Sequence, residues 1–163
     1  MLIPSQLLKK HVLEDANPVS TPLDPNIKLN LDPNKLNNSK LKEESPERAS
    51  ASCTTLIGSL MYLAIGTRPN IAYSVQRLAQ FMQNPRPIHW TAVKHIFRYL
   101  KGTRTLGLTY GGSDEELNNE ELNIYCDADW ASDVGRKSIS GYIITLAGGA
   151  MAWSSKKQST VAL

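Results

Sequence analysis

Leu56, Ile57, Leu60, Met61, Leu63 and Ala64 recur at helical spacing and predict an apolar helix from Thr54 to Gly66. Pro69 suits the first turn of a second helix, on which Ile71, Val75, Leu78, Ala79 and Met82 share one stripe. Asn84-Pro85 ends it, because the residue before a proline is pushed out of the helical region. Pro87 opens a third helix, with Trp90, Val93, Ile96, Phe97 and Leu100 inward and Gly102 just past its end. Beyond Thr103 the period shortens to two. Leu106, Leu108 and Tyr110 alternate, and so do Leu122, Ile124 and Cys126, which is a strand signature. Tyr142 to Leu146 and Ala150 to Ser154 predict two more strands, and the short Ala147-Gly148-Gly149 link favours an antiparallel hairpin.

The N-terminal part follows another pattern. Ser5 can cap a short helix from Gln6 to about Glu14, with Leu7, Leu8 and Val12 inward. Pro18, Pro22, Pro25, Pro33 and Pro46 then recur among Asn, Ser, Lys and Glu, a density that denies regular backbone hydrogen bonding. The predicted organisation is a tail helix over 1–16, an extended or disordered linker over 17–53, a three-helix lobe over 54–104 and an antiparallel sheet over 105–163. The expected fold class is α+β.

Composition alters this picture mainly through charge. The net charge is only +3, yet no Asp or Glu occurs between Arg48 and Ser113. That span carries Arg68, Arg77, Arg86, Lys94, Arg98, Lys101 and Arg104. From Asp114 to Asp133 the sign reverses, with no Lys or Arg. A cationic middle beside an acidic stretch suggests a polyanion-facing helical lobe. Lys94, Arg98 and Lys101 fall on one face of the third helix, with Arg104 just beyond. The two cysteines, Cys53 and Cys126, match no metal-ligand spacing and read as free thiols of a reducing compartment. The N-terminus lacks the order of a secretion signal, and the run from Leu56 to Ile65 is too short to span a bilayer. The expectation is an intracellular protein of cytoplasm or nucleus, not secreted, with no membrane partner.

Several motifs carry a family likeness. TRPNIAY, HW, RYLKGT, DADWASD, RKSISGY and WSSKKQ fall within the two long segments LIGSLMYLAIGTRPNIAYSVQRLAQFMQNPRPIHWTAVKHIFRYLKGTRTLGLTY and IYCDADWASDVGRKSISGYIITLAGGAMAWSSKKQSTVAL. Together they resemble the pol polyprotein of copia-type retrotransposons. The first segment is similar to the region after the reverse transcriptase palm, and the second to the start of the family's ribonuclease H domain. SQLLKKHVLEDANPVSTPL is similar to the tail of the polymerase unit. One local departure is Asn70, where the family usually has Asp. The resemblance implies an incomplete ribonuclease H-like antiparallel sheet after a thumb- or connection-like helical lobe. It also implies that the polymerase site precedes residue 1 and that the helix and strand bearing further nuclease carboxylates follow Leu163, so the chain is expected to be truncated at both ends.

Hydrolysis of the RNA strand of an RNA–DNA hybrid uses two divalent ions, roughly 4 Å apart, held by several converging carboxylates. By resemblance, Asp127 is the family's shared metal ligand and a vestigial catalytic residue. Asp129 shares its face if the strand continues and is a candidate helper, while Asp133 is expected in the following hairpin. On spacing alone, Asp127 reads first as a strand-end Asp that binds backbone amides, and only the resemblance favours the metal-ligand reading. Cys126, Trp130 and Trp153 are expected to pack, and Ser138 and Ser140 to face solvent. The intact family uses Mg2+; tight binding is not expected with one confirmed carboxylate. The expected function is that of a catalytically inactive polyprotein fragment. It would bind RNA–DNA hybrid or duplex weakly, and without regard to sequence, through Lys94, Arg98, Lys101 and Arg104, with Arg68 and Arg77 as lesser candidates. Complementation by an intact pol chain is a further expected partnership. Two alternatives stand beside it: an incomplete part of an active hybrid ribonuclease H, and a host-adopted interaction module.

Overall fold

In the computed structural model, which describes residues 16–29, 46–111, 121–129 and 136–161, the first helix, α1, spans Pro46–Gly66. It begins eight residues before the expected Thr54, so the end of the expected linker is helical. Cys53, Leu56, Ile57, Leu60, Leu63 and Ala64 are buried, the i, i+3, i+4 stripe of a helix with one covered face. Met61, expected in that stripe, is exposed together with Tyr62 and Ile65. A single turn of 3-10 helix, Pro69–Ile71, leads into α2, Ala72–Ala79. Turns then carry the chain to Asn84 through hydrogen bonds from Phe81 to Leu78 and from Met82 to Ala79. α3 starts at Pro87 as predicted and spans Pro87–Gly102, so Gly102, expected just past its end, is its last residue.

The chain divides into two units. The helical unit takes the chain up to Leu63 and again from Ser74 to Thr105. Its buried side chains include Leu56, Ile57, Leu60, Val75, Leu78, Val93, Ile96, Phe97 and Leu100. Burying each large one contributes about 1.5–3 kcal/mol. Residues 16–29 belong to this unit and have defined positions, with Leu29 buried and an Asp24 turn closed by hydrogen bonds from Asn26 and Ile27.

The sheet unit comprises Ala64–Tyr73 and Leu106–Leu163. Its strands are β1 (Asn123–Ala128), β2 (Ile139–Leu146) and β3 (Gly149–Lys157), antiparallel in the order β1-β2-β3. Asp127 pairs with Gly141 and Gly141 with Ser155; Tyr125, Ile143 and Trp153 form the next row. β2 starts three residues before the expected Tyr142, and β3 runs to Lys157 rather than Ser154. Ala147 and Gly148 link β2 to β3 with φ of 47° and 73°, the left-handed pair of a tight hairpin whose twist matches its strands. Leu106, Leu108 and Tyr110 form no strand. Instead Tyr110 donates its hydroxyl to the Ala150 carbonyl (2.6 Å), and the Gly111 N–H bonds Ala147 (2.9 Å). The architecture of the described residues is α+β.

Two side-chain expectations are corrected here. Cys126 is exposed rather than packed, because among the described residues β1 has a strand neighbour on one side only and nothing covers this side chain. Ser138 is buried rather than solvent-facing, since its carbonyl accepts the Gln158 N–H and extends the β2–β3 ladder. Trp90, expected inward on α3, is half-buried. The tail helix over 6–14, Trp130 and Asp133 lie outside the described residues. Among the described residues no helix is long and apolar enough to cross a membrane.

Candidate functional site

α3 positions the cationic candidates. Pro87 fits its first turn, where a missing N–H costs nothing. His89, two residues on, takes the part that Glu plays in a capping box: its Nδ1 accepts the Arg86 backbone N–H at 2.9 Å. The ring proton therefore sits on Nε2, which donates to the Leu29 carbonyl at 3.1 Å. The ring is fully buried and stacks on Phe81 at 4.2 Å between centroids. Burial holds its pKa below the ordinary histidine value; the Leu29 hydrogen bond opposes that shift and the Arg86 charge adds to it.

Along the same helix, His95 Nε2 donates to the Thr21 carbonyl at 2.9 Å. Arg98 Nε donates to Asn17 at 2.6 Å, and Lys101 Nζ to Ala16 at 2.9 Å. Residues 16–29 are thus strapped to α3 by four of its side chains, a covering that the sequence pattern did not predict. All four acceptors are neutral carbonyls, so the bonds fix Arg98 and Lys101 without cancelling their charge. Lys94 is exposed, its ammonium 5.1 Å from the centre of the Trp90 ring, and Arg104 is exposed. The lesser candidates stand elsewhere. Arg68 is buried with Nε bonded to Asn70 Oδ1 at 3.2 Å, and Arg77 is half-buried. Asn70, the residue that departs from the family pattern, is therefore a hydrogen-bond acceptor for Arg68.

The second candidate region belongs to the sheet unit. A groove of about 540 Å³ is lined by Tyr73, Tyr125, Asp127, Asp129, Trp153 and Ser155, among others. Both carboxylates open onto it, as the two-residue strand repeat requires. Asp127 is exposed, and its Oδ1 accepts the Ala128 N–H at 2.8 Å. Asp129 Oδ1 accepts the Ile139 N–H, and its own N–H bonds the Ile139 carbonyl at 3.1 Å. Trp153 turns its indole N–H to the Ala64 carbonyl at 2.7 Å, which fixes one wall. The Ser155 hydroxyl is buried and has no hydrogen-bond partner among the described residues.

The donor set decides what this groove can hold. Among the described residues no three His, Cys, Asp or Glu side chains come together. The two carboxylates present each have one oxygen engaged by a backbone N–H. These residues do not fit a two-ion centre, which needs several converging oxygen ligands. The strand-end role of Asp127, an acceptor for its neighbour's amide, is the one its hydrogen bond displays.

Sequence reasoning passed over His89 and Ser155. His89 sits on the same stripe as Val93, Ile96 and Leu100, so its spacing marked it as inward although its type suggested a polar surface. Ser155 carried no such signal beyond its place in the strand.

Comparison with known proteins places the chain. It is 42% identical over 159 residues to the retrovirus-related Pol polyprotein from transposon TNT 1-94 of Nicotiana tabacum, covering 97% of this chain and 11% of that protein. It is 40% identical over 156 residues to the corresponding polyprotein from transposon RE1 of Arabidopsis thaliana, covering 95% and 10%. It is also 47% identical over 108 residues to secreted RxLR effector protein 161 of Plasmopara viticola, covering 66% of this chain and 73% of that protein. The chain spans about a tenth of the length of the two transposon relatives. No family model and no solved structure matches it.

Proposed function

The chain belongs to the retrovirus-related Pol polyproteins of transposons, and from that membership we propose that it is a nucleic-acid-holding piece which catalyses neither polymerisation nor hydrolysis by itself. Lys94, Arg98, Lys101 and Arg104 contact phosphates of an RNA–DNA hybrid or duplex, weakly and without reading sequence. The observation that carries this reading is the manner in which α3 keeps its cations. Arg98 and Lys101 are anchored by neutral carbonyls, which hold these cations in fixed geometry and, among the described residues, leave their charge uncancelled. Such charge attracts phosphates through counterion release, a term indifferent to base sequence.

The sheet unit is read as the opening part of a ribonuclease H-like domain, with Asp127 in the place of a vestigial metal ligand. Support comes from the antiparallel order β1-β2-β3 and from Asp127 near the end of β1. The reading sets the chain inside the cell, in cytoplasm or nucleus, where hybrids form, and makes a longer Pol chain its natural complement.

The test is an electrophoretic shift at low salt with three unrelated duplexes and one hybrid. Similar shifts for all four, lost in Lys94→Glu/Arg98→Glu, support the reading. A shift for one sequence alone, or none, sinks it.

A further inference from the structure

α3 carries one aromatic ring on its cationic face. Trp90, Lys94, Arg98 and Lys101 are spaced four, four and three residues apart, so they form one row along the helix, with about 6 Å of axis to each four-residue step. Arg104 follows just past the helix end. Trp90 lies where this row meets the apolar stripe. Val93 and Phe97, three and seven residues on, are fully buried, while the indole stays half-buried. A tryptophan in such a place has one side packed and one side wet. The exposed Lys94 puts its ammonium over the indole, 5.1 Å from the ring centre. An exposed cation–π contact is weak and a lysine stem turns freely, so the ring is covered by a group that a negative charge can draw away. Neither α2 nor α3 contains an Asp or Glu that could do so.

We propose that Trp90 is a stacking platform for an unpaired base of RNA or DNA, uncovered when a phosphate takes the Lys94 ammonium. The proposal rests on the phosphate-holding reading of α3 and adds to it the form of the nucleic acid. A phosphate contact is blind to whether the bases are paired. A stacking contact is not, because neighbours cover both faces of every base inside a duplex. The indole is therefore met by a single strand or a splayed end. Every base has a π-face, so stacking leaves the binding indifferent to sequence. On binding, the Lys94 ammonium moves from the ring to a phosphate oxygen, and the base takes its place over the indole. Arg98 and Lys101, held by the Asn17 and Ala16 carbonyls, grip the backbone further along the row. Four phosphate contacts alone bind weakly, and one stacked base raises the affinity about tenfold.

Fluorescence anisotropy at low salt tests this with the full chain and two labelled strands of about twelve nucleotides, oligothymidylate and an abasic strand of equal length. The two carry the same phosphates and differ only in their bases. Wild type should bind oligothymidylate about tenfold more tightly than the abasic strand. Trp90→Ala should bind both strands as wild type binds the abasic one, which also reports that its α3 is intact. Lys94→Gln should weaken both strands and keep the ratio between them. In wild type, oligothymidylate should quench tryptophan emission and the abasic strand should not. Trp90→Phe keeps a ring at the site, so it should retain part of the ratio and lose the quenching. Where Trp90→Ala does not fold, the Trp90→Phe emission decides. Equal wild-type affinity for the two strands overturns the proposal and leaves the charge reading standing, whereas binding of neither overturns both. A preference that survives in Trp90→Ala, or quenching that survives in Trp90→Phe, puts the base on another residue and overturns the proposal as well.

Discussion

Removing the His89 ring should cost the helical unit more than any charge on its surface. The side chain is fully buried, stacked on Phe81 and bonded at both nitrogens. Truncation to alanine leaves a cavity costing about 3 kcal/mol. It also leaves the Arg86 N–H and the Leu29 carbonyl without their partner, adding about 1–2 kcal/mol. A loss near 4 kcal/mol lowers Tm by about 20 °C in a unit of this size. His89→Phe keeps the stack and drops the bonds, at about 2 kcal/mol. The titration has a fixed sign. Burial lowers the folded pKa, so the unfolded chain takes up the proton first. Stability is therefore unaffected above the unfolded value near 6.5 and falls as pH drops below it, until the folded group also titrates. Urea unfolding followed at 222 nm between pH 7.5 and 5 should show wild type losing more stability than His89→Phe. A loss under 1 kcal/mol for His89→Ala, or identical pH profiles for wild type and His89→Phe, would refute the tautomer and packing described here.

Other expected outcomes are narrower. Ala147→Asn or Ala147→Gly relieves a left-handed φ of 47° and should stabilise the hairpin by about 1 kcal/mol, read as a higher denaturation midpoint. Gly149→Ala drives a methyl into the Tyr110 ring and the Thr109 carbonyl, so it should destabilise the sheet unit. Adding Tyr110→Ala should recover only part of that loss, because the backbone contact persists. Asp127→Asn retains a carbonyl for the Ala128 N–H and should leave the melting temperature unchanged, whereas Asp127→Ala should cost about 1 kcal/mol.

The helices were legible because their burial is periodic. The α3 stripe began at Pro87 in sequence as in structure, with its end misplaced by one residue at Gly102, and the Ala147-Gly148 turn was marked by its glycine. Placement of residues 16–29 was not legible. Nothing in an apolar period reports bonds from His95, Arg98 and Lys101 to backbone carbonyls of a proline-rich segment. The same bonds changed the meaning of the cationic face, from free side chains to anchored ones. At the other candidate region, spacing put Asp127 and Asp129 together, and the groove contains both. What spacing could not supply was the occupation of their oxygens by the Ala128 and Ile139 amides. Cys126 was misjudged because alternation says which residues share a face and not whether anything covers it.

The central claim is that α3 holds nucleic acid by charge while the Asp127 groove performs no hydrolysis. Fluorescence anisotropy of a labelled RNA–DNA hybrid, titrated with the full chain at several salt concentrations and then checked for strand cleavage with magnesium, measures both halves at once. The account predicts weak binding whose log–log salt slope is about −3 to −4, as four phosphate contacts require, with the RNA left intact. Binding that ignores salt would contradict it, as would RNA cleavage that Asp127→Asn abolishes.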